Sequence, residues 1–253
     1  MITMKGAAVS AKLKEQVEKG LETLTWVPKL TIIRVGENPD DISYEKGATK
    51  KLTSFGLEVE SKVFPGDISD EAFKKEFAAI NADASVDGIL MLRPLPKQIN
   101  EQDIEKMIDP AKDLDGISPV NIAKVFSGDT SGFAPCTAEA VVCMLKMNDI
   151  ALSGKRVAVV GRSMVVGRPL SMLLLHENAT VTICHSRTAN LPEVCREADI
   201  LTACVGKAAM INHTYVKKDA VVIDVGINVD ENGKLCGDVD FADLEGTASA
   251  ATP

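Results

Sequence analysis

The sequence predicts an α/β protein of two domains whose C-terminal half is a doubly wound parallel sheet. Short apolar runs alternate with amphipathic segments of helix length along most of the 253 residues. The runs in the second half are continuous, which is typical of parallel strands that are buried on both faces. Hydrophobic residues make up 45% and charged residues 25% of the chain, so low-complexity and fibrous classes are excluded.

The first half of the chain alternates helices with strands. Its predicted strands are short runs rich in β-branched residues, and glycine or proline ends or follows each of them. Gly56 stands where the C′ residue of the second helix is expected. The predicted elements are a helix over 10–23, a strand over 30–36, a helix over 41–55, a strand over 57–64, a helix over 70–80, a strand over 86–92 and a helix over 101–108.

The second half comes after a segment of different composition. Residues 109–133 are rich in Pro, Gly, Asp and Ser, which favours a linker or cleft-lining segment over core. We therefore expect one domain over 1–120 and a second over 121–253. The elements predicted after this segment are a helix over 137–147, a strand over 155–161, a helix from about 167, and strands over 179–185, 199–206 and 220–226.

Charge and cysteine spacing argue against several classes of function. The net charge of −8 argues against nucleic acid as the main partner, because phosphate chains require a basic surface. The six cysteines form no CxxC pair and most lie in apolar runs, so we expect buried thiols and no metal site. The N-terminus lacks the apolar core of a signal peptide, and no apolar stretch reaches membrane-spanning length. We therefore expect a cytoplasmic protein without a membrane partner.

A glycine turn comes directly after the strand predicted at 155–161. Gly161 and Gly167 are six residues apart, so the turn Gly161-Arg162-Ser163 does not fit the GxGxxG pattern. A glycine directly after a strand nevertheless permits a tight turn, and a helix N-terminus offers free N–H groups and a positive dipole end to a pyrophosphate. The turn predicts a dinucleotide site. An ordinary strand-to-helix turn, common in doubly wound proteins, is the alternative.

The end of the next strand indicates which dinucleotide binds. Sites for the non-phosphorylated dinucleotide usually place an acidic residue about 20 residues beyond the glycine turn, on the ribose hydroxyls. The sequence has His185, Ser186 and Arg187 there instead. We expect Arg162, Ser186 and Arg187 to receive a ribose phosphate through charge-assisted hydrogen bonds, with a solvated polar loop as the alternative. His185 is expected to be a capping or loop residue rather than a catalytic acid or base.

Two aspartates stand close together in the segment DLDG. Asp113 and Asp115 are compatible with a metal site or with general acid/base chemistry. We expect instead one buried carboxylate that binds an amidine-like edge of a ligand.

Several motifs together resemble one known family. DLDG, PCT, VVGRSMVVGRP, ATVTICHSRT and VIDVGIN stand in the order and spacing of the methylenetetrahydrofolate dehydrogenase/methenyltetrahydrofolate cyclohydrolase family, and the likeness runs from residue 30 to the end of the chain. The resemblance implies an N-terminal βαβ folate domain, a C-terminal Rossmann-like domain that binds NADP, and a folate substrate in the cleft between them. It also implies a homodimer that acts in one-carbon metabolism and purine biosynthesis.

The resemblance also implies roles for individual residues. Tyr44 corresponds to a tyrosine that stacks on the folate ring and Asp115 to an aspartate that binds the pterin edge, which makes them the expected catalytic residues. Pro94 is an expected substrate contact. The dinucleotide-binding positions correspond to Gly161, Arg162, Ser163, Gly167, Ser186, Arg187, Ile227 and Thr137.

Two positions in the folate half depart from the family pattern. The family motif Y-x-x-x-K-x-K starts at Tyr44, so Ala48 stands where the lysine central to the cyclohydrolase step is expected, and Lys50 matches the second lysine. The family segment VQLPLP is MLRPLP here, so Leu92 stands in place of a glutamine and Arg93 comes after it. Lysine and glutamine work as a pair in the family, and this sequence has neither.

These departures predict which reaction is impaired. Oxidation of the carbon between two folate nitrogens needs alignment with the nicotinamide and little proton transfer. Hydrolysis of the methenyl product needs activated water, for which a positioned base contributes about 10²–10⁴-fold. We expect an NADP-dependent methylenetetrahydrofolate dehydrogenase with weak or absent cyclohydrolase activity, and a separate cyclohydrolase that acts on its product.

Two alternatives stay open. A fully bifunctional enzyme would use Lys50 or another residue as the base, although Lys46 points away from Tyr44 on the helix and Lys50 lies more than a turn from it. A non-catalytic regulator would bind folate or dinucleotide without chemistry. The family also continues past Thr252-Pro253 with a glycine-rich loop and a helix, so either the sequence is incomplete or part of the folate-side wall is missing.

Overall fold

The computed structural model describes residues 1–231 and 233–253. The chain divides into an N-terminal unit, Ala11–Ala134, and a C-terminal unit, which comprises Met1–Ser10 and Pro135–Pro253. Each unit contains a parallel sheet with helices, which confirms the predicted α/β fold class with two domains. The first helix, α1 (Gly6–Leu21), starts in the C-terminal unit and continues into the N-terminal unit.

The sheet of the N-terminal unit has the strand order β3-β2-β4, with parallel neighbours. Its central strand β2 (Lys29–Val35) lies between β3 (Glu58–Phe64) and β4 (Gly88–Met91), and it is buried along almost its whole length. This burial explains why β2 is rich in apolar and β-branched residues, which strands favour. The helices of this unit after α1 are α2 (Pro39–Ser54), α3 (Asp70–Ala82), α4 (Glu101–Met107) and α5 (Pro119–Ser127).

Polar side chains determine where α2 and α3 begin. The side-chain oxygen of Asn38 accepts from the Asp40 N–H at 3.0 Å, and Pro39 is the first residue of α2. The Ser69 hydroxyl accepts from the backbone of α3 in the same way, at 3.2 Å. Gly56, beyond the end of α2, has a φ of +91°, as its predicted C′ position requires.

The prediction that 109–133 is a linker or cleft-lining segment rather than core was wrong for its buried part, which includes Asp113 and Ile117. Asp113 is fully buried, and its carboxylate accepts from the N–H groups of Ile117 and Ser118 at 3.0 and 2.8 Å. It also accepts from the Asn121 side chain at 2.8 Å, which ties α5 to the unit. The domain boundary expected after residue 120 therefore lies inside α5, whereas the two units divide after Ala134. Polar side chains organise this segment, so apolar periodicity did not reveal it.

The sheet of the C-terminal unit has six strands with parallel neighbours, in the spatial order β1 (Ile2–Thr3), β11 (Ala250–Ala251), β8 (Val221–Asp224), β7 (Ile200–Ala203), β5 (Arg156–Val160) and β6 (Thr180–Cys184). The chain runs from β5 (Arg156–Val160) to β6 (Thr180–Cys184) on one side, and then to β7 (Ile200–Ala203) on the other. Such a reversal creates a crevice at the carboxyl ends of the strands, where doubly wound sheets bind ligands. The next strand is β8 (Val221–Asp224), and the helices are α6 (Cys136–Met147), α7 (Gly167–His176) and α8 (Leu191–Arg196).

Four strands of two residues each were not predicted. β1 (Ile2–Thr3) pairs with β11 (Ala250–Ala251), which extends the sheet beyond β8. β9 (Asn228–Val229) and β10 (Leu235–Cys236) form an antiparallel pair. Two residues are too few to show a periodicity, which is why the sequence did not indicate these strands. Among the described residues, the helices are too short or too polar to cross a membrane.

Candidate functional site

The turn after β5 depends on two glycines. Gly161 has a φ of +139°, and a Cβ built on it would lie 2.5 Å from the Cys204 sulfur and would overlap the carbonyl of that residue. A Cβ on Gly167 would overlap the carbonyl of Gly161. The sequence therefore places glycine where the chain between β5 and α7 folds back on itself and passes over β7. Any larger residue would fill the space over the sheet edge.

The start of α7 presents polar groups to this turn. The Ser163 hydroxyl accepts from the Val166 N–H at 3.2 Å, and its carbonyl accepts from the Arg168 N–H at 3.0 Å. The side chains of Arg162 and Ser163 are exposed. A helix N-terminus with an adjacent guanidinium group favours an anion. Thr137, also predicted as a dinucleotide contact, is exposed in the first turn of α6, a helix that packs against α7.

The loop after β6 is organised by its histidine. The His185 N–H donates to the Thr188 hydroxyl at 2.8 Å, and its ring Nδ1 accepts from the Arg187 N–H at 3.1 Å. These contacts support the predicted loop role of His185. The side chains of Ser186 and Arg187 are exposed. Because Val160 is the register partner of Cys184, this loop and the Gly161 turn leave the sheet side by side.

Two aspartates that the sequence did not indicate, the buried Asp238 and the partly buried Asp224, hold the loops at the ends of β7 and β8. Asp238 is fully buried and accepts from the backbone N–H groups of Val205, Gly206 and Lys207. Asp224, the last residue of β8, accepts from three backbone N–H groups, those of Gly226, Asp238 and Val239. Burial raises the pKa of Asp224, and the three N–H donors oppose this rise.

Ile227 lies between Gly226, whose N–H donates to Asp224, and Asn228, whose side-chain amide donates to Asp238. Ile227 is 84% exposed, so its apolar side chain is accessible at this edge of the sheet. Burial also raises the pKa of the neighbouring Cys204 thiol to about 11, so Cys204 stays protonated at neutral pH. The crevice therefore has a cationic, hydroxyl-rich side at β5 and β6, and an apolar contact at the end of β8.

In the N-terminal unit, α2 carries the predicted folate contact. Tyr44 is 59% exposed, and Ala48 stands one helical turn later on the same face, where it is partly exposed. Lys46 and Lys50 are exposed. Neither shares the face of Tyr44 and Ala48, because a helix turns by about 100° per residue. The position at which the family resemblance predicts the cyclohydrolase lysine therefore carries only the methyl group of Ala48.

A buried ion pair anchors the start of α2. Arg34, on β2, donates to the Glu45 carboxylate at 2.5 Å and to the Gly36 carbonyl. The two side chains are 10% and 13% exposed. Burial acts to raise the pKa of Glu45, but hydrogen bonds from Ser61 and Arg34 outweigh it and the pKa is lowered. Since Glu45 directly follows Tyr44, the pair fixes the part of α2 that presents the tyrosine.

The segment after β4 contains Leu92, the second position at which the family resemblance predicts a departure. Leu92 is only 7% exposed, so its side chain belongs to the core. Arg93 pairs with Glu101 and Glu105 at 3.3 and 3.4 Å, and Glu101 also accepts from the Leu95 N–H at 3.0 Å. Burial raises the pKa of Glu105, although the charge of Arg93 opposes this. Arg93 is therefore engaged with two acids of α4 beneath the loop that carries the exposed Pro94.

The two aspartates of DLDG have different environments. The carboxylate of Asp113 already accepts hydrogen bonds from Ile117, Ser118 and Asn121. It therefore stabilises the fold rather than binding a ligand. Asp115 is partly exposed. The backbone of Asp113 forms an isolated parallel β-bridge with that of Ile89 in β4. Asp115, two residues later, therefore lies toward the carboxyl end of that strand. The segments that carry Pro94 and Asp115 therefore reach the same end of the sheet.

Comparisons with known proteins match both parts of the chain. Residues 4–115 match the family model described as the tetrahydrofolate dehydrogenase/cyclohydrolase catalytic domain, and residues 135–253 match its NAD(P)-binding domain. The bifunctional protein FolD of Clostridium kluyveri is 48% identical over 100% of this chain and 90% of its own length. FolD of Clostridioides difficile is 51% identical over 99% of this chain and 88% of its own length.

Solved structures give the same likeness. The bifunctional enzyme FolD from Campylobacter jejuni superimposes with a TM-score of 0.96 at 36% identity, over 100% of this chain and 91% of that one. FolD from Trypanosoma brucei, complexed with NADP cofactor and an inhibitor, has a TM-score of 0.92 at 29% identity, over 100% of this chain and 90% of that one.

Proposed function

Since this chain belongs to the tetrahydrofolate dehydrogenase/cyclohydrolase family, as its motifs predicted, we propose that it oxidises methylenetetrahydrofolate to methenyltetrahydrofolate with NADP. The observation that carries the proposal is the turn at Gly161. A Cβ would fill the space over it, and polar groups for a dinucleotide stand beside it. The whole-length relatives, named as dehydrogenase/cyclohydrolase enzymes, supply the substrate class.

The residues at the ends of β5 and β6 fit the phosphorylated dinucleotide. Arg162, Ser186 and Arg187 are exposed cationic or hydroxyl side chains on adjacent loops, and a ribose phosphate would accept hydrogen bonds from all of them. The start of α7 would hold the pyrophosphate through its N–H groups. The Trypanosoma brucei relative is complexed with NADP, which supports the same choice. When bound, NADP supplies the hydride acceptor for the reaction.

The N-terminal unit would hold and orient the folate. The exposed ring of Tyr44 would stack on the pterin, and the Asp115 carboxylate would accept hydrogen bonds from its amidine-like edge. Pro94 would add an apolar contact. Oxidation of the carbon between two nitrogens leaves a cation that their lone pairs stabilise, so this step requires alignment from the protein rather than a base.

The hydrolytic activity is a separate proposal, because the relatives and the residues of this chain point to different answers. The names of the relatives favour the bifunctional alternative, and they conflict with our expectation of a separate cyclohydrolase. The residues favour the other choice, because Ala48 and the buried Leu92 offer no proton carrier at the two family positions. We propose that hydrolysis is slower than oxidation, and that any hydrolysis uses a group other than the side chains at 48 and 92.

The test of the dehydrogenase is the reduction of NADP by the purified protein with methylenetetrahydrofolate. We expect turnover with NADP, and a rise of about tenfold in the KM for NADP in Arg187→Ala with little change in the KM for NAD. Lys218→Ala, a change of another exposed cation, is the control. Binding of NADP without any reduction would contradict the proposal and would favour a regulator.

A further inference from the structure

We propose that Asp238 is a positioning residue for the nicotinamide half of the dinucleotide. It would hold the loops after β7 and β8 in the shape that receives this half, without touching the ligand. The inference rests on the proposed function, because it assumes that NADP binds along the carboxyl ends of the strands.

The contacts of Asp238 are those of an anchor. Its carboxylate is fully buried and accepts from three successive backbone N–H groups, those of Val205, Gly206 and Lys207, at 2.6, 3.1 and 2.8 Å. It also accepts from the side-chain amide of Asn228 at 2.9 Å. One carboxylate therefore fixes the loop after β7 and the turn after β8. Buried charge-assisted hydrogen bonds of this kind are costly to lose.

Asp224 and two glycines complete the anchor. Asp224 accepts from the Asp238 N–H at 3.0 Å, which holds the segment of Asp238 against the end of β8. A Cβ on Gly226 would overlap the carboxylate of Asp238, and a Cβ on Gly237 would overlap that of Asp224. Each aspartate therefore packs against a glycine of the other segment. This mutual fit leaves the two loops few alternative conformations.

The held loops lie on the side of β5 away from the phosphate-binding groups. In the strand order β8-β7-β5-β6, the groups of Arg162, Ser186 and Arg187 come after β5 and β6, whereas the Asp238 loops come after β7 and β8. A dinucleotide that crosses the sheet at the strand reversal places its two halves on these two sides. Ile227, exposed between Gly226 and Asn228, is the side chain that the anchor presents to the second half.

The experiment uses two ligands that share only one half. NADP carries both halves, whereas adenosine 2′,5′-bisphosphate carries the phosphorylated ribose and adenine alone. In the full chain with Asp238→Asn, we expect the Kd for NADP, measured by calorimetry, to rise at least tenfold. The Kd for adenosine 2′,5′-bisphosphate should stay within twofold. Asp240→Asn, two residues away, alters a carboxylate that accepts from the Asp243 N–H and should change neither Kd.

Equal changes for both ligands, or no change for either, would overturn the proposal. If Asp238→Asn does not fold, the same two Kd values are measured for Asn228→Ala. This variant removes one of the four donors to Asp238 and keeps the hydrogen bonds from the loop after β7. A smaller rise for NADP alone is then expected. The proposed function fails separately, when the unsubstituted protein binds both ligands but does not reduce NADP with methylenetetrahydrofolate.

Discussion

The two candidate sites differ in what builds them. In the C-terminal unit, the backbone makes the site, because Gly161 and Gly167 allow the chain to approach the sheet edge and Asp238 fixes loops through their N–H groups. In the N-terminal unit, side chains make the site, on an exposed helix face that the pair of Arg34 and Glu45 holds.

We propose that this difference accounts for the departures that the family resemblance assigns to positions 48 and 92. A site made by the backbone cannot lose one glycine without a change in the chain path. A site made by side chains can lose one function and keep another. The departures at 48 and 92 lie in the N-terminal unit, whereas the glycine turn of the C-terminal unit matches the family motif.

The largest effect is expected at the backbone-made site. Gly161→Ala should raise the Kd for NADP more than 100-fold, because its Cβ overlaps Cys204 and its φ of +139° strains any other residue. Calorimetric titration measures this change. Gly154→Ala is the matched control: Gly154 has a φ of +75° but open space around its Cβ position. It should cost about 1–2 kcal/mol of stability and leave NADP binding unchanged. Tight NADP binding by Gly161→Ala would show that the backbone turn does not make this site.

The buried ion pair should give the next largest effect, in the other unit. Arg34→Ala leaves the Glu45 carboxylate buried without its cation, which should lower the free energy of unfolding by about 3–5 kcal/mol. The KM for folate should rise and the Kd for NADP should not. Chemical denaturation measures the free energy of unfolding, steady-state kinetics the KM for folate, and calorimetry the Kd for NADP. Lys14→Ala, which breaks an exposed pair with Glu18, should cost less than about 1 kcal/mol. Equal losses in both variants would contradict the anchoring role.

A gain of function is expected at the side-chain-made site. Ala48→Lys places an ammonium group one turn from Tyr44, and it should raise the cyclohydrolase rate at least tenfold. The dehydrogenase rate should change less than threefold. Thr49→Lys adds the same group about 100° around the helix and serves as the control. If both variants hydrolyse the methenyl product at the rate of the unsubstituted protein, position 48 does not limit this reaction.

The smallest effect is the pH dependence of the same ion pair. Because the pKa of Glu45 is lowered on folding, its contribution to stability is present above the ordinary value of 4.5 and is lost as the pH falls through the lowered value. The stability difference between the unsubstituted protein and Glu45→Gln should therefore be constant near neutral pH and shrink below about pH 4.5. Denaturation curves at several pH values check this. A difference that grows at low pH would contradict it.

The sequence predicted the longer strands of both sheets, and most readily β2, β5, β7 and β8, because these are short runs that are buried along most of their length. It predicted the Gly161 turn because a glycine after a strand has a local steric reason. It did not indicate Asp238, whose three backbone donors lie 31 to 33 residues earlier and are N–H groups that any residue except proline supplies. The sequence singled out Asp113 but not its role in holding the fold, and it missed α5, since caps and buried carboxylates leave no periodic pattern.

The ion pair of Arg34 and Glu45, which anchors α2, also could not be predicted from the sequence. Arg34 and Glu45 are 11 residues apart on different elements, and only the path of the chain between β2 and α2 brings them together. The departures at Ala48 and Leu92 could be predicted from the sequence, because the family motifs include those positions. Their chemical consequence depends on which other groups reach the substrate, which no motif specifies.

One progress curve tests most directly whether hydride transfer outpaces hydrolysis in this protein. The purified protein is mixed with methylenetetrahydrofolate and NADP, and NADPH, methenyltetrahydrofolate and formyltetrahydrofolate are measured together over time. We expect NADPH to form and methenyltetrahydrofolate to accumulate before the formyl product, because the dinucleotide turn is intact and positions 48 and 92 hold no proton carrier. Formyltetrahydrofolate that appears in step with NADPH, without methenyl accumulation, would contradict this expectation.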